Sequence, residues 1–157
     1  MDGNILYEYK LEPDDVLNED YVYILNEMLT TTYDASFIDY MSPTVYSLNS
    51  RITKKYALKS GTTDYDYWFV GYNPDLLMIV WSGNDNNSAV NKSYSSKIKS
   101  IWCETVEDAL KNKEKTWYQP SENIIALPLN AITGKFTSNN KNTTLFYFKK
   151  GSEPQNE

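Results

Sequence analysis

Two apolar runs constrain what this chain can fold into more than any other feature. Tyr67-Trp68-Phe69-Val70-Gly71-Tyr72 and Leu76-Leu77-Met78-Ile79-Val80-Trp81-Ser82 are separated only by Asn73-Pro74-Asp75. Aromatic and β-branched residues suit a pleated surface, and the three residues between them are turn formers, so the pattern predicts an antiparallel hairpin over 67–82. The second run is apolar throughout, which predicts a central strand covered on both faces. Just upstream, Ile52 and Ala57-Leu58 lead into Lys59-Ser60-Gly61-Thr62-Thr63, which reads as a strand over 57–63 closing in a tight glycine turn. Gly61 lets a second backbone come close where a Cβ would block it. The ammonium and hydroxyls beside it are donors suited to an anionic or carbonyl oxygen. The same five residues also fit a solvated strand lysine followed by an ordinary turn. Asp64 and Asp66 read as turn charges or as a carboxylate pair.

Two helices frame these strands. Asn18 followed by Glu19 and Asp20 is a helix start, and Tyr21, Ile24, Leu25, Met28 and Leu29 fall on one face at helical spacing. Each member buried would contribute about 1.5–3 kcal/mol. Thr30-Thr31-Thr32 frays the helix, because β-branched residues lose rotamers there. A second helix is predicted over 93–112, with Ile98, Ile101, Trp102, Val106 and Leu110 as its stripe. Asn4 to Lys10 alternates as a strand behind the turn pair Asp2-Gly3, and Pro13 lies in the polar segment that follows. Ile124 to Leu129 and Thr144 to Phe148 are strand-like and flank Thr133-Gly134 and an asparagine-rich tip. Ser42-Pro43 is a break, with Phe37, Ile38, Tyr40 and Met41 as a short helical turn before it. One domain over 1–150 and a frayed tail over 151–157 complete the reading.

Composition excludes several classes. A chain of 157 residues with 41% hydrophobic and 15% aromatic content can bury a real core and is not a disordered segment. The net charge of −6 argues against a nucleic-acid partner, and Lys92 to Lys99 reads as a solvated helix face. With no histidine, a Ser-His-Asp triad, Cys-His catalysis and most zinc sites are ruled out. No metal or cofactor is expected. The one cysteine, Cys103, falls in a helical apolar pattern and reads as a small buried hydrophobe. No apolar run is long enough to cross a membrane as a helix, and Met1-Asp2-Gly3 does not start a signal peptide.

K-S-G-T-T, an acidic linker, W-F-V-G-Y-N-P-D-L-L and V-W-S-G-N-D stand in fixed order from Lys59 to Asp85. This pattern resembles the Lys-Thr-Gly region of penicillin-binding transpeptidases, most closely the bifunctional class A kind. Gly3 to Tyr7, Val16-Leu17 and the helix through Met28-Leu29 resemble the segment between the family's second and third motifs. Ile101-Trp102, Pro120, Ala131 to Gly134 and Gly151 to Pro154 resemble its closing helix and tail. The resemblance implies an α+β fold: an antiparallel sheet with flanking helices, part of the serine β-lactamase and penicillin-binding transpeptidase fold. It departs from the family at 34–50, which carries no glycine where relatives are glycine-rich. On this reading the chain starts inside the transpeptidase domain, without the Ser-x-x-Lys nucleophile, the second motif or an anchor. It would be inactive alone and would expose the sheet face that the missing helix covers.

The resemblance also assigns roles. Lys59 would supply positive potential beside the substrate carboxylate, Ser60 and Thr62 hydroxyls would hold that carboxylate, and the Thr62 N–H would be one oxyanion donor. Gly61 and Thr63 would line the substrate strand. The implied partners are a peptidoglycan stem peptide or β-lactam and the N-terminal half of the domain, at the outward face of the bacterial membrane. A non-catalytic module that binds peptide carboxylates, or docks onto a transpeptidase, is the alternative. Ser96-Lys97-Ile98-Lys99 and Ser138-Asn139-Asn140-Lys141 fit Ser-x-x-Lys but follow the Lys-Ser-Gly strand, in the wrong order. Ser47-Leu48-Asn49, Ser82-Gly83-Asn84 and Ser121-Glu122-Asn123 fit Ser-x-Asn and show how common that pattern is here.

Overall fold

The computed structural model describes residues 5, 7–8, 10, 14–38, 42–136 and 143–154. Its longer elements run in the order α1 (Glu19–Thr30), β1 (Ala57–Thr62), β2 (Asp66–Tyr72), β3 (Leu77–Gly83), α2 (Tyr94–Ala109), β4 (Ile124–Asn130) and β5 (Thr143–Lys149). Strands β1-β2-β3 form one antiparallel sheet and β4-β5 a second, so the molecule is α+β with helices flanking antiparallel sheets. Asparagine builds the β2–β3 turn: Asn73 Oδ1 accepts from the N–H groups of Asp75 and Leu76, both at 3.0 Å.

Paired residues share a face, so the register sorts the first sheet. Leu58, Ser60 and Thr62 stand opposite Gly71, Phe69 and Tyr67, and Met78, Val80 and Ser82 complete that face. Helix α2 packs on it through Ile98, Trp102 and Val106, all buried. Trp102 meets Tyr56 and Phe69 edge-on, at 5.2 and 5.4 Å between ring centroids. A Cβ on Gly71 would overlap the Trp102 ring, so this glycine is the seat of the indole. Cys103 is buried beside it, and burial pushes its thiol up, away from reactivity. The expected helix ends three residues early, because Leu110 forms its cap, and Ile101 turns outward.

The opposite face carries Trp68, Val70, Ile79, Leu77 and Trp81; α1 covers only its Ala57–Tyr72 end, and Trp68, Leu77, Ile79 and Trp81 stay exposed. Here the expectation of a central β3 fails. The strand lies at the edge, with Ile79 52% exposed, because α2 covers only one side of its apolar run.

Helix α1 corrects a second expectation. Asn18 Oδ1 does cap it, accepting from Asp20 N–H at 3.0 Å. The apolar stripe is not the buried side, however: Tyr21, Leu25 and Met28 are more than half exposed, whereas Asp20, Tyr23, Asn26 and Glu27 are buried. Hydrogen bonds decide this. Lys55 and the Trp117 indole N–H both reach the Glu27 carboxylate, at 2.6 and 2.7 Å, and Tyr72 Oη donates to Asn26 at 2.7 Å. Part of the apolar stripe, Tyr21, Ile24 and Met28, lines an open groove of about 590 Å³ against β5.

Asp20 ties α1 to the β4–β5 hairpin. It accepts from Ser121 Oγ at 2.5 Å and pairs with Lys149 Nζ at 2.9 Å. The Ser121 hydroxyl and the Lys149 ammonium hold its carboxyl below the usual range. The unfolded chain therefore binds a proton more readily in acid. This stabilisation is complete above about pH 4 and is lost as pH falls through the depressed folded value. We expect the melting temperature to fall less steeply below about pH 4 in Asp20→Asn than in the parent, read from thermal unfolding at several pH values. Equal slopes would show that the pair does not couple folding to pH.

Other expectations resolve locally. Ala35–Phe37 and Tyr46–Leu48 are single 3-10 turns, and the latter holds Ser47. The described members of the expected first strand, Ile5, Tyr7, Glu8 and Lys10, are exposed and lie in no strand. Its remaining members, Asp2-Gly3, Pro13, Tyr40, Met41, Ser138 to Lys141 and residues 155–157 lie outside the described residues. Residues 151–154 include a hydrogen-bonded turn, with Ser152 N–H donating to Lys149 O at 2.9 Å, rather than a frayed tail.

Candidate functional site

The candidate site is the free edge of β1. The pairing runs to Thr63, whose N–H donates to Asp66 O at 3.0 Å. In an antiparallel ladder, bonded and non-bonded pairs alternate. Stepping back from the Thr63–Asp66 pair, Gly61 and Lys59 bond inward to Trp68 and Val70. Thr62 and Ser60 fall in the non-bonded pairs, so their N–H and C=O groups point out of the sheet. Strand β1 is the sheet's terminal strand, so among the described residues no neighbouring strand pairs with them. One contact marks the direction: Lys59 Nζ reaches over the edge and donates to Ser60 O at 2.6 Å.

The five motif residues do not act alike. Lys59 and Gly61 lie on the tryptophan face, and Ser60 and Thr62 on the α2 face. A ligand that meets both sets must lie along the edge rather than over either face. Among the described residues, neither the Ser60 nor the Thr62 hydroxyl has a hydrogen-bond partner, so both are available. A Cβ on Gly61 would stand 3.2 Å from Trp68 Cβ, so this glycine also makes room for the indole. The Thr63 hydroxyl is committed to the turn, accepting from Tyr65 and Asp66 N–H groups at 3.1 and 2.9 Å. Sequence reasoning placed Thr63 with the ligand-facing residues, and its hydroxyl faces the loop instead.

No activated nucleophile stands near this edge among the described residues. The Ser96 hydroxyl donates to its own helix, to Ser93 O at 2.9 Å, and Lys99 donates to Thr44 O at 2.7 Å. That serine–lysine pair is not joined. Asp66 accepts from the Trp81 indole at 2.8 Å, while Asp64 is exposed, so the two carboxylates do not form a working pair. No cluster of three or more histidine, cysteine, aspartate or glutamate side chains among the described residues could hold a metal. No helix among them is long and apolar enough to cross a membrane.

Sequence comparison finds 36% identity with penicillin-binding protein 2D of Bacillus subtilis, over 98% of this chain and 23% of that protein. Penicillin-binding protein 1A of Clostridium botulinum is 26% identical over 85% of this chain and 16% of its own length. The chain therefore spans less than a quarter of these relatives. Among solved structures, penicillin-binding protein 1A from Haemophilus influenzae superimposes with a TM-score of 0.63 over 77% of this chain and 20% of that one, at 20% identity, which is a likeness of fold. No family model matches the chain.

Proposed function

This chain belongs to the penicillin-binding protein family and corresponds to a C-terminal portion of the transpeptidase domain, and from that premise we propose that the Lys59–Thr62 edge is one wall of an acyl-transfer site. The observation that carries the proposal is the outward direction of the Thr62 N–H beside a lysine that reaches over the same edge. The substrate is a stem peptide ending in D-Ala-D-Ala, laid antiparallel along β1 in the manner of an added strand. A serine attacks the peptide carbonyl, the C–N bond to D-Ala breaks as its nitrogen takes up a proton, and an amine of a neighbouring stem peptide then receives the acyl group. A β-lactam enters the same route and stays attached.

Each edge residue has a task in that reaction. Lys59 places positive charge near the terminal carboxylate, and the free Ser60 and Thr62 hydroxyls donate to it. Thr62 N–H is one of the two donors that hold the tetrahedral oxyanion. The serine comes from the Ser-x-x-Lys segment that the family carries upstream of the region matched here. That upstream part also covers the Trp68–Ile79–Trp81 face, whose exposure is what the reading requires of this portion taken alone. The reaction takes place at the cell wall, outside the membrane.

Labelling with a fluorescent penicillin tests this. We expect no label on the 157 residues alone, and label on the upstream segment when the two are joined or mixed. Lys59→Ala should reduce that label about tenfold or more, since a charge-assisted contact to the carboxylate is lost. Labelling that ignores Lys59→Ala would overturn the assignment. Label on the isolated chain would point to Ser96, and Ser96→Ala would decide it. The two free hydroxyls also favour a second reading, a module that binds peptide carboxylates without chemistry. Reversible binding of a D-Ala-D-Ala peptide to the isolated chain, weakened by Lys59→Ala, would support it, and no binding at millimolar peptide would exclude it.

A further inference from the structure

We infer that Asp66 and Trp81 are positioning residues for the Lys59–Thr62 edge, an inference that rests on the role proposed for that edge. Thr62 is the last residue of β1, and the turn at 63–66 follows at once. The direction of its N–H therefore depends on how that turn is held. Within the turn, Thr63 and Asp66 are joined by the Thr63 N–H to Asp66 O bond and by the Thr63 hydroxyl. These are local contacts, and a two-strand turn held only by them can rock about the end of the hairpin.

The anchor comes from β3. Asp66 Oδ1 accepts from Trp81 Nε1 at 2.8 Å, a bond that ties the start of β2, where the turn ends, to the neighbouring strand β3. Trp81 lies against Trp68, with ring centroids 6.1 Å apart, and Trp68 stands opposite Gly61 in the register. The contacts run from Thr63 through Asp66, Trp81 and Trp68 to Gly61, and so close a ring around Thr62. Gly83 belongs to the same arrangement. A Cβ there would overlap the Trp81 ring and lie 2.6 Å from Asp66 Oδ1, so only glycine leaves room for the bond.

Packing alone does not account for this. Trp68 and Trp81 are each 45% exposed in this portion, where water could satisfy the indole N–H, and once the upstream part lies on this face Asp66 is its acceptor. Binding it to a carboxylate instead fixes both the ring and the turn, because an ionised acceptor gives a shorter and more directional bond. Asp66 is thereby removed from any acid–base role.

The test uses a polypeptide carrying this chain and the serine segment, with Trp81→Phe, Asp66→Ala, Asp66→Asn and Lys59→Ala variants. The readouts are the acylation rate constant and the binding constant for a β-lactam, with amide hydrogen exchange at 62–66 and in α2. Trp81→Phe and Asp66→Ala should slow acylation about ten- to a hundredfold with little change in binding, as misplacement of a donor does. Exchange at 62–66 should quicken about tenfold while α2 stays protected. Asp66→Asn, which keeps an oxygen acceptor for Trp81, should recover most of both. Normal acylation in Trp81→Phe, with Lys59→Ala defective, would overturn the inference, as would loss of protection throughout α2, which marks a merely structural role. If Lys59→Ala acylates normally, the reading of the edge has failed. The exchange data then stand alone, and unchanged exchange at 62–66 would overturn the brace as well.

Discussion

Thr62→Pro is expected to fold and to lose acylation by about a hundred- to a thousandfold, the cost of removing one oxyanion donor. Proline lacks the N–H, and the strand position tolerates that loss only if the N–H was not bonded in the sheet. Thr62 stands in a non-bonded pair of the terminal strand, so the ladder gives up nothing. Gly61, just before it, accepts the backbone restriction that a following proline imposes. Thr62→Ala keeps the N–H and loses only the hydroxyl, so its loss should be far smaller. Gly61→Pro should behave in the opposite way. It removes an inward ladder bond and sets a ring against Trp68, so it should unfold the hairpin. Acylation rates and thermal melts of the three variants separate backbone from side chain. A folded Thr62→Pro that acylates at the parent rate would show that this N–H is not a donor.

Trp102→Ala is expected to destabilise the chain by about 3–5 kcal/mol. The indole has no exposure, bears on Tyr56 and Phe69, sits on Gly71 and donates to Met78 O at 3.1 Å. These contacts join α2 to β2, to β3 and to Tyr56 just before β1. Domains of this size are stable by about 5–15 kcal/mol, so the variant would lose about a fifth or more of its margin. Trp102→Phe keeps aromatic contact but loses the hydrogen bond and leaves a void, and should fall between the two. Urea unfolding midpoints measure the series, and a midpoint unchanged in Trp102→Ala would mean that α2 does not hold this sheet.

The sequence made the hairpin, both helices and the motif strand legible, for a physical reason: each is specified by neighbours. Asn73 closes its turn with its own side chain, Asn18 caps its helix three residues on, and Trp102 and Val106 repeat at the period of a helix. The K-S-G-T motif and the run behind it were readable as a family pattern for the same reason, being contiguous.

What failed depended on distant partners. Spacing on α1 pointed to an apolar stripe as the buried side, and the structure buries Asp20, Asn26 and Glu27 instead. Lys149, Ser121, Tyr72, Lys55 and Trp117 arrive from other parts of the chain to meet them. The apolar run of β3 could not say that one of its faces would be open, because that depends on what packs there. The division of labour within the motif was likewise hidden. Composition makes Ser60, Thr62 and Thr63 equivalent hydroxyl donors. Only the phase of the β1–β2 ladder turns the Thr62 N–H outward and Gly61 inward, and only the turn claims the Thr63 hydroxyl. The sequence by itself determined which residues stand at this edge. The tertiary structure decided which way each one points, because direction in a sheet is set by the partner strand.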